Sequence, residues 1–144
     1  MKILIFIPAR GGSKGIPGKN LVKINGKKLI QYTLDTTNEL MKDKTHDWLP
    51  FISTDNSKIS EYCDKQGFMM EYTRPESLAS DNSSIIEAIW DALKWLNQKK
   101  NITPDAILLL QPTSPLRKTI DIINAINKIK NENKISIVSV TRMI

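Results

Sequence analysis

Apolar positions follow two rhythms along the chain. From Ile3 to Ile7 five apolar, β-prone residues stand in an unbroken run, the pattern of a strand buried on both faces of a parallel sheet. In "KLIQYTLDTTNELM" the spacing changes. There Leu29, Ile30, Thr33, Leu34, Thr37 and Leu40 recur every three or four residues and predict a helix with one moderately apolar face. "LPFIST" predicts a second strand, ending in Ser53, Thr54 and Asp55, and "NSKISEYCDKQG" a helix closed by Gly67. "FMMEYT" reads as a third strand. The polar stretch "RPESLASDNSS" reads as a loop in which Asp81 or a following serine caps the helix "IIEAIWDALKWLNQ". Ile86, Ile89, Trp90, Leu93 and Leu96 form the predicted apolar face of that helix. "DAILLLQ" predicts a buried fourth strand, Thr119 the cap of a helix through "IDIINAINKIKNEN", and "ISIVSV" a last strand.

Short apolar strands alternating with helical stretches predict an α/β fold, a three-layer α/β/α arrangement with a mainly parallel sheet, as one domain over residues 1–144. Ligands of such sheets bind outside the carboxyl ends of the strands. Three polar segments fall there: "ARGGSKG" after the first strand, "STD" after the second and "QPTSPLR" after the fourth. No internal repeat, low-complexity tract or linker interrupts the pattern.

Composition narrows the ligand. An apolar share of 40% and a charged share of 25% exclude disordered and fibrous classes. The net charge of +6 suits anions, but scattered lysines and few aromatic residues argue against nucleic acid and favour a nucleotide or phosphosugar. A single cysteine, Cys63, excludes an internal disulfide and a cysteine-built zinc site and points to a reducing compartment. The opening "MKILIFI" is cut short by Pro8 and Arg10, too soon for a secretory core, and nothing approaches a membrane span. The expected location is the cytoplasm.

The chemistry concentrates in "IPARGGSKGIPGKN", residues 7–20. Glycine lets backbone turn sharply and approach a ligand, while Arg10, Lys14 and Lys19 bring positive charge to the same place. That combination points to a polyphosphate. Two familiar phosphate motifs fail: a P-loop ending at Gly18 and Lys19 would need glycine at Ser13 and a hydroxyl at Asn20, and a dinucleotide fingerprint would need glycine at Arg10.

"IPARGGSKGIPGKN", "RPESLASD" and "LLLQPTSPLR", in this order and separation, resemble the signature segments of the acylneuraminate cytidylyltransferases, the CMP-sialic acid synthetases. Relatives with the same pattern activate legionaminic and pseudaminic acids, and the CMP-Kdo synthetases are more distant. The resemblance implies a nucleotide-diphospho-sugar transferase-like fold and transfer of a cytidylyl group from CTP to a nonulosonic acid, with release of pyrophosphate. By motif position it implies that Arg10 and Lys19 are catalytic and bind nucleotide together with Asn20. Gly11, Gly12 and Ser13 belong to the same phosphate loop, with Lys14 adding phosphate contact. Arg74, Asp81 and Ser84 come from the segment that lies near the base, and Gln111 is placed to contact the sugar substrate. One position departs from the pattern: Ile85 stands where many relatives carry Ser or Thr, and Ser83 and Ser84 are the neighbouring hydroxyls.

The resemblance also implies magnesium, held by late acidic residues past residue 144, and a homodimer built by a C-terminal arm. No metal ligand is assigned within these residues, and no general base is evident. By itself the chain is expected to bind nucleotide weakly and turn over little. The rivals are a Kdo-specific or sugar-1-phosphate nucleotidyltransferase and, from another class, a non-catalytic nucleotide-binding relative. Arg117 supports the site or fixes its loop. His46 reads as a loop residue, Asp55 as a turn or helix-capping residue, Trp90 and Trp95 as packing residues, and Cys63 as an inert, partly buried thiol.

Overall fold

The computed structural model describes residues 1–143; Ile144, the last residue of the predicted domain, lies outside them. In chain order the elements are β1 (Lys2–Pro8), β2 (Lys23–Ile24), β3 (Lys27–Lys28), α1 (Leu29–Leu40), β4 (Asp47–Ser53), α2 (Ser57–Lys65), α3 (Ile85–Lys100), β5 (Ala106–Leu109) and α4 (Thr119–Glu132). Single 3-10 turns at Lys19–Leu21 and Glu76–Leu78 interrupt the longer loops.

β1 is the centre of a three-stranded parallel sheet of order β4-β1-β5. Side chains alternate across a strand, so Ile3, Ile5 and Ile7 enter one core and Leu4 and Phe6 the other. Both faces are covered, which is why the run carries no polar residue. On the first face pack α1 through Ile30, Leu34 and Leu40, α2 through Ile59 and Cys63, and α4 through Ile122 and Ile126. On the second lies α3, with Ala88, Ala92 and Leu96 against Leu4, Phe6, Phe51 and Tyr72. The three predicted layers and the parallel sheet are present. All six residues of the predicted α1 face are buried.

Several expectations are corrected. Residues 68–73 form no strand. Phe68 and Tyr72 are buried while Met69 stays exposed, so the segment is anchored at two points instead of laddered, and it rejoins β4 where the Arg74 N–H donates to Thr54 O at 2.9 Å. "ISIVSV" is not a strand either: residues 135–140 are exposed and have no partner among the described residues, and β propensity counts only where a neighbouring strand receives it.

The buried face of α3 is rotated from the predicted one. Ile89, Leu93 and Leu96 of the predicted face pack on the core together with Ala88 and Ala92, whereas Ile86 and Trp90 are 59% and 67% exposed. The small residues let the helix lie close to the rings of Phe51 and Tyr72, onto which its own Trp95 packs, with centroids 4.9–6.1 Å apart. Trp95 packs as expected and Trp90 does not.

β5 is buried on one face only. Ala106 and Leu108 pack against the first core, whereas Ile107 and Leu109 are 43% and 39% exposed because α3 packs its buried face against β1 and β4. Thr119 is not a cap but the first residue of α4, its hydroxyl donating to Glu39 Oε2 at 2.6 Å. A short antiparallel hairpin, β2 with β3, was not anticipated; it turns on Asn25 and Gly26, whose φ values of 54° and 81° suit a two-residue reverse turn.

Candidate active site

Because the three strands run parallel, their carboxyl ends open on the same edge, and a solvent-open cleft of about 240 Å³ lies there. Arg10, Gly12, Ser13, Lys19, Asn20, Arg74, Asp81, Ser84 and Gln111 all line it, drawn from three loops far apart in sequence. Gly11 and Lys14 do not line it. Lys14 stands at the rim with a side chain 78% exposed, and Gly11 faces the other way.

The loop after β1 is held by its backbone. The Ala9 N–H donates to Ser53 O at 2.9 Å, carrying the β1–β4 ladder one step past Pro8. The Gly11 N–H then donates to Asp55 Oδ1 at 2.8 Å, and Asn20, buried, donates from Nδ2 to Arg10 O at 3.2 Å. Although Gly11 belongs to the expected phosphate loop, its N–H is thus committed to Asp55. Gly11 is a glycine because a Cβ there would stand 2.8–2.9 Å from the Asn56 side chain. Gly12 differs: a Cβ at that position would meet nothing within 4 Å, so the space above it is free for a ligand. The Ser13 hydroxyl donates to Ile16 O and tightens the following turn.

Charge in the cleft is predominantly positive. Arg10, Lys19 and Arg74 face it, opposed by the single carboxylate Asp81 among its lining residues. Arg10 Nη1 donates to Asp81 Oδ1 at 2.7 Å, and Lys14 Nζ lies 3.7 Å from the other oxygen. The Arg10 hydrogen bond, more than any other contact, holds the Asp81 carboxyl below the ordinary carboxylate range. The pair is therefore intact at neutral pH and is lost only as pH falls through that lowered value.

Arg74 is the most deeply placed cation, 5% exposed. Nε donates to Ser53 Oγ at 2.8 Å and Nη2 to Ser53 O at 2.9 Å, and it makes no ion pair among the described residues. Burial lowers its pKa, with Asp55 among the charges that pull the other way. Burying a cation that has no counter-ion is costly, so its position beside an open cleft suits an anionic or electron-rich ligand.

Ser84 caps α3 in a reciprocal capping box: its Oγ accepts from Ile86 N–H at 3.1 Å and Glu87 Oε2 accepts from Ser84 N–H at 3.1 Å. Ser84→Ala is expected to cost about 1 kcal/mol of folding stability, visible as a lower urea midpoint at unchanged slope. Ser83 ties its own loop, its Oγ donating to Ser77 O at 3.0 Å and lying 2.8 Å from Ser80 Oγ. Gln111 is exposed at the mouth of the cleft. Its carbonyl accepts from Arg117 Nη2 at 2.5 Å while Arg117 Nη1 donates to Thr33 Oγ1 at 3.1 Å, so Arg117 fixes the loop that presents Gln111.

Asp55 escaped the sequence. The cap of α2 is Asn56, whose Oδ1 accepts from Ile59 N–H at 3.1 Å, and Asp55 holds Gly11 instead. Only its place at the carboxyl end of a strand hinted at this. His46 sits in a bend against the Trp48 ring, and the Cys63 thiol is buried and pushed up to about 12 by desolvation, which makes it a poor nucleophile.

This layout matches known proteins. A family model described as "Cytidylyltransferase" matches residues 4–144. The chain belongs to the cytidylyltransferase family. Over 141 residues it is 38% identical to the CMP-N,N'-diacetyllegionaminic acid synthase of Legionella pneumophila, covering 98% of this chain and 58% of that protein. Over 145 residues it is 34% identical to the N-acylneuraminate cytidylyltransferase of Escherichia coli O18:K1:H7, covering 98% of this chain and 32% of that one. A solved CMP:2-keto-3-deoxy-manno-octonic acid synthetase complexed with CTP superposes with a TM-score of 0.71 at 22% identity, over 92% of this chain and 49% of that chain, and shares its fold. The chain thus spans well under two thirds of the length of these relatives.

A magnesium ion does not fit the described residues of this member of the cytidylyltransferase family. No three His, Cys, Asp or Glu side chains converge among them, and the cleft carboxylate Asp81 is already engaged by Arg10 and Lys14. No helix among them is long and apolar enough to cross a membrane.

Proposed function

We propose that this chain forms the CTP-binding part of an enzyme that transfers CMP to a sialic-acid-like nonulosonic acid and releases pyrophosphate. The observation that carries the reading is the meeting of Arg10, Lys19 and Arg74 in one cleft at the carboxyl edge of a parallel sheet. The Legionella pneumophila and Escherichia coli relatives are named for N,N'-diacetyllegionaminic acid and N-acylneuraminate, sugar acids of this class.

In the proposed reaction the hydroxyl on C2 of the sugar acid gives its proton to solvent and its oxygen bonds to the α-phosphorus of CTP as the bond from that phosphorus to the bridging β-phosphate oxygen breaks. Arg10 and Lys19 offset charge growing on the α-phosphate and the departing pyrophosphate, while Gly12 allows the phosphates to approach backbone closely. Lys14 at the rim adds charge. Ser13 closes the loop. Arg74, with Ser84 and the loop holding Asp81, borders the base, and Gln111 presents an amide to a sugar hydroxyl. No covalent enzyme intermediate is required. A cytoplasmic enzyme follows from the use of CTP.

Thermal unfolding with CTP, UTP, GTP or ATP tests the reading. CTP alone is expected to raise the midpoint; at a hundredfold excess over its dissociation constant it adds about 2.7 kcal/mol. Equal shifts with all four nucleotides, or none, would overturn cytosine recognition. CTP binding without pyrophosphate release in the presence of any nonulosonic acid would favour the non-catalytic binding protein.

A further inference from the structure

We propose that Asp55 is a positioning residue for phosphate binding, acting through the peptide that joins Arg10 to Gly11; this rests on the phosphate-binding reading of the cleft. That peptide is gripped at both ends. Its C=O accepts from Asn20 Nδ2 at 3.2 Å and its N–H donates to Asp55 Oδ1 at 2.8 Å. Since the two groups of a trans peptide point in opposite directions, Asn20 and Asp55 hold it from opposite sides. A peptide flip would turn the carbonyl onto the Asp55 carboxylate, so the carboxylate forbids it. The orientation thus fixed sends the Arg10 side chain and Gly12 to the cleft.

Two further observations separate this role from ordinary loop structure. Asp55 is absent from the lining among the described residues, so it acts from behind the loop. The capping role open to it at the start of α2 is filled by Asn56, which also packs into the space that a side chain at position 11 would need. A negative charge behind an anion-binding loop opposes the anion; Asp55 also acts on the buried Arg74 cation, and what it adds at the loop is its hold on the backbone. The half-buried, charge-assisted hydrogen bond is of the strong kind.

The test compares the wild-type protein with Asp55→Asn, Asp55→Ser and Asp55→Ala, using inorganic tripolyphosphate and cytidine as separate calorimetric probes and amide exchange of Gly11 as a direct report. Asn keeps an oxygen at the same reach, so Asp55→Asn is expected to preserve Gly11 protection and to bind tripolyphosphate at least as well as wild type, having lost a repelling charge. Ser and Ala cannot reach. Both are expected to lose Gly11 protection and about tenfold or more in tripolyphosphate affinity with cytidine affinity unchanged. If Ala prevents folding, Ser carries the comparison.

The proposal is overturned if tripolyphosphate affinity survives in Ser and Ala, if Asn falls as far as they do, if cytidine affinity falls in parallel, or if wild type binds no tripolyphosphate. Failure of the cytidylyltransferase reading looks different: tripolyphosphate binds normally, without preference for CTP among nucleotides, and the Asp55 comparison still reads out.

Discussion

Arg10→Ala is expected to weaken CTP binding by about 10–100-fold while leaving the fold nearly as stable as before. A charge-assisted hydrogen bond to phosphate contributes about 1.5–3 kcal/mol, and each 1.4 kcal/mol is a factor of ten in affinity. The structural cost is small because the Arg10 side chain is one-third exposed and its partner, Asp81, is itself half-open to solvent. Calorimetry with CTP and urea unfolding without it measure the two halves. The substitution also removes the main influence holding down the Asp81 carboxyl, so its titration, followed by NMR, moves up toward the ordinary carboxylate range. Unchanged CTP affinity together with a shifted Asp81 would mean that Arg10 serves the ion pair and not the ligand.

Arg74→Ala is expected to show the opposite balance, lowering stability by about 2–4 kcal/mol as well as weakening nucleotide binding. Its guanidinium is buried and satisfies both the hydroxyl and the carbonyl of Ser53 at the carboxyl end of β4. Removing it takes the guanidinium bond from the Ser53 hydroxyl, leaves the Ser53 carbonyl with the Ala9 N–H as its remaining donor, and opens a void. Arg74→Lys keeps the charge but not the planar fork, and one flexible ammonium does not reproduce two fixed donors. It is expected to recover less than half of the lost stability. Urea unfolding decides the matter, and an alanine variant as stable as wild type would show that desolvating the cation costs as much as its bonds return.

What was legible in the sequence follows from where each signal resides. β1 and α1 were legible because their burial is decided by their own periodicity: five consecutive apolar residues have to be covered on both sides, and the α1 stripe matches the helical repeat. "FMMEYT" and "ISIVSV" carry strand-like composition, but a strand exists only with a partner, and that information lies elsewhere in the chain. α3 was misread in its rotation because large apolar residues outweighed alanines, although it is Ala88 and Ala92 that permit close packing. The Asn25-Gly26 hairpin was present as a turn signal and passed unnoticed. In the site, the cations were visible from the loop that carries them. Asp55 was not, because its role depends on the meeting of residues 11 and 55 in space.

The central place of β1 has a consequence for how the protein is made. This strand is synthesised before both of its neighbours, and the second of them, β5, begins only at Ala106. At translation speeds of about 5–20 residues per second, the interval is roughly 5–20 s. During that time one edge of the most apolar strand in the molecule waits unpaired. Nascent chains stalled before residue 106 are therefore the ones that need a chaperone, and those stalled after β5 has left the ribosome are the first able to pair β1 on both edges.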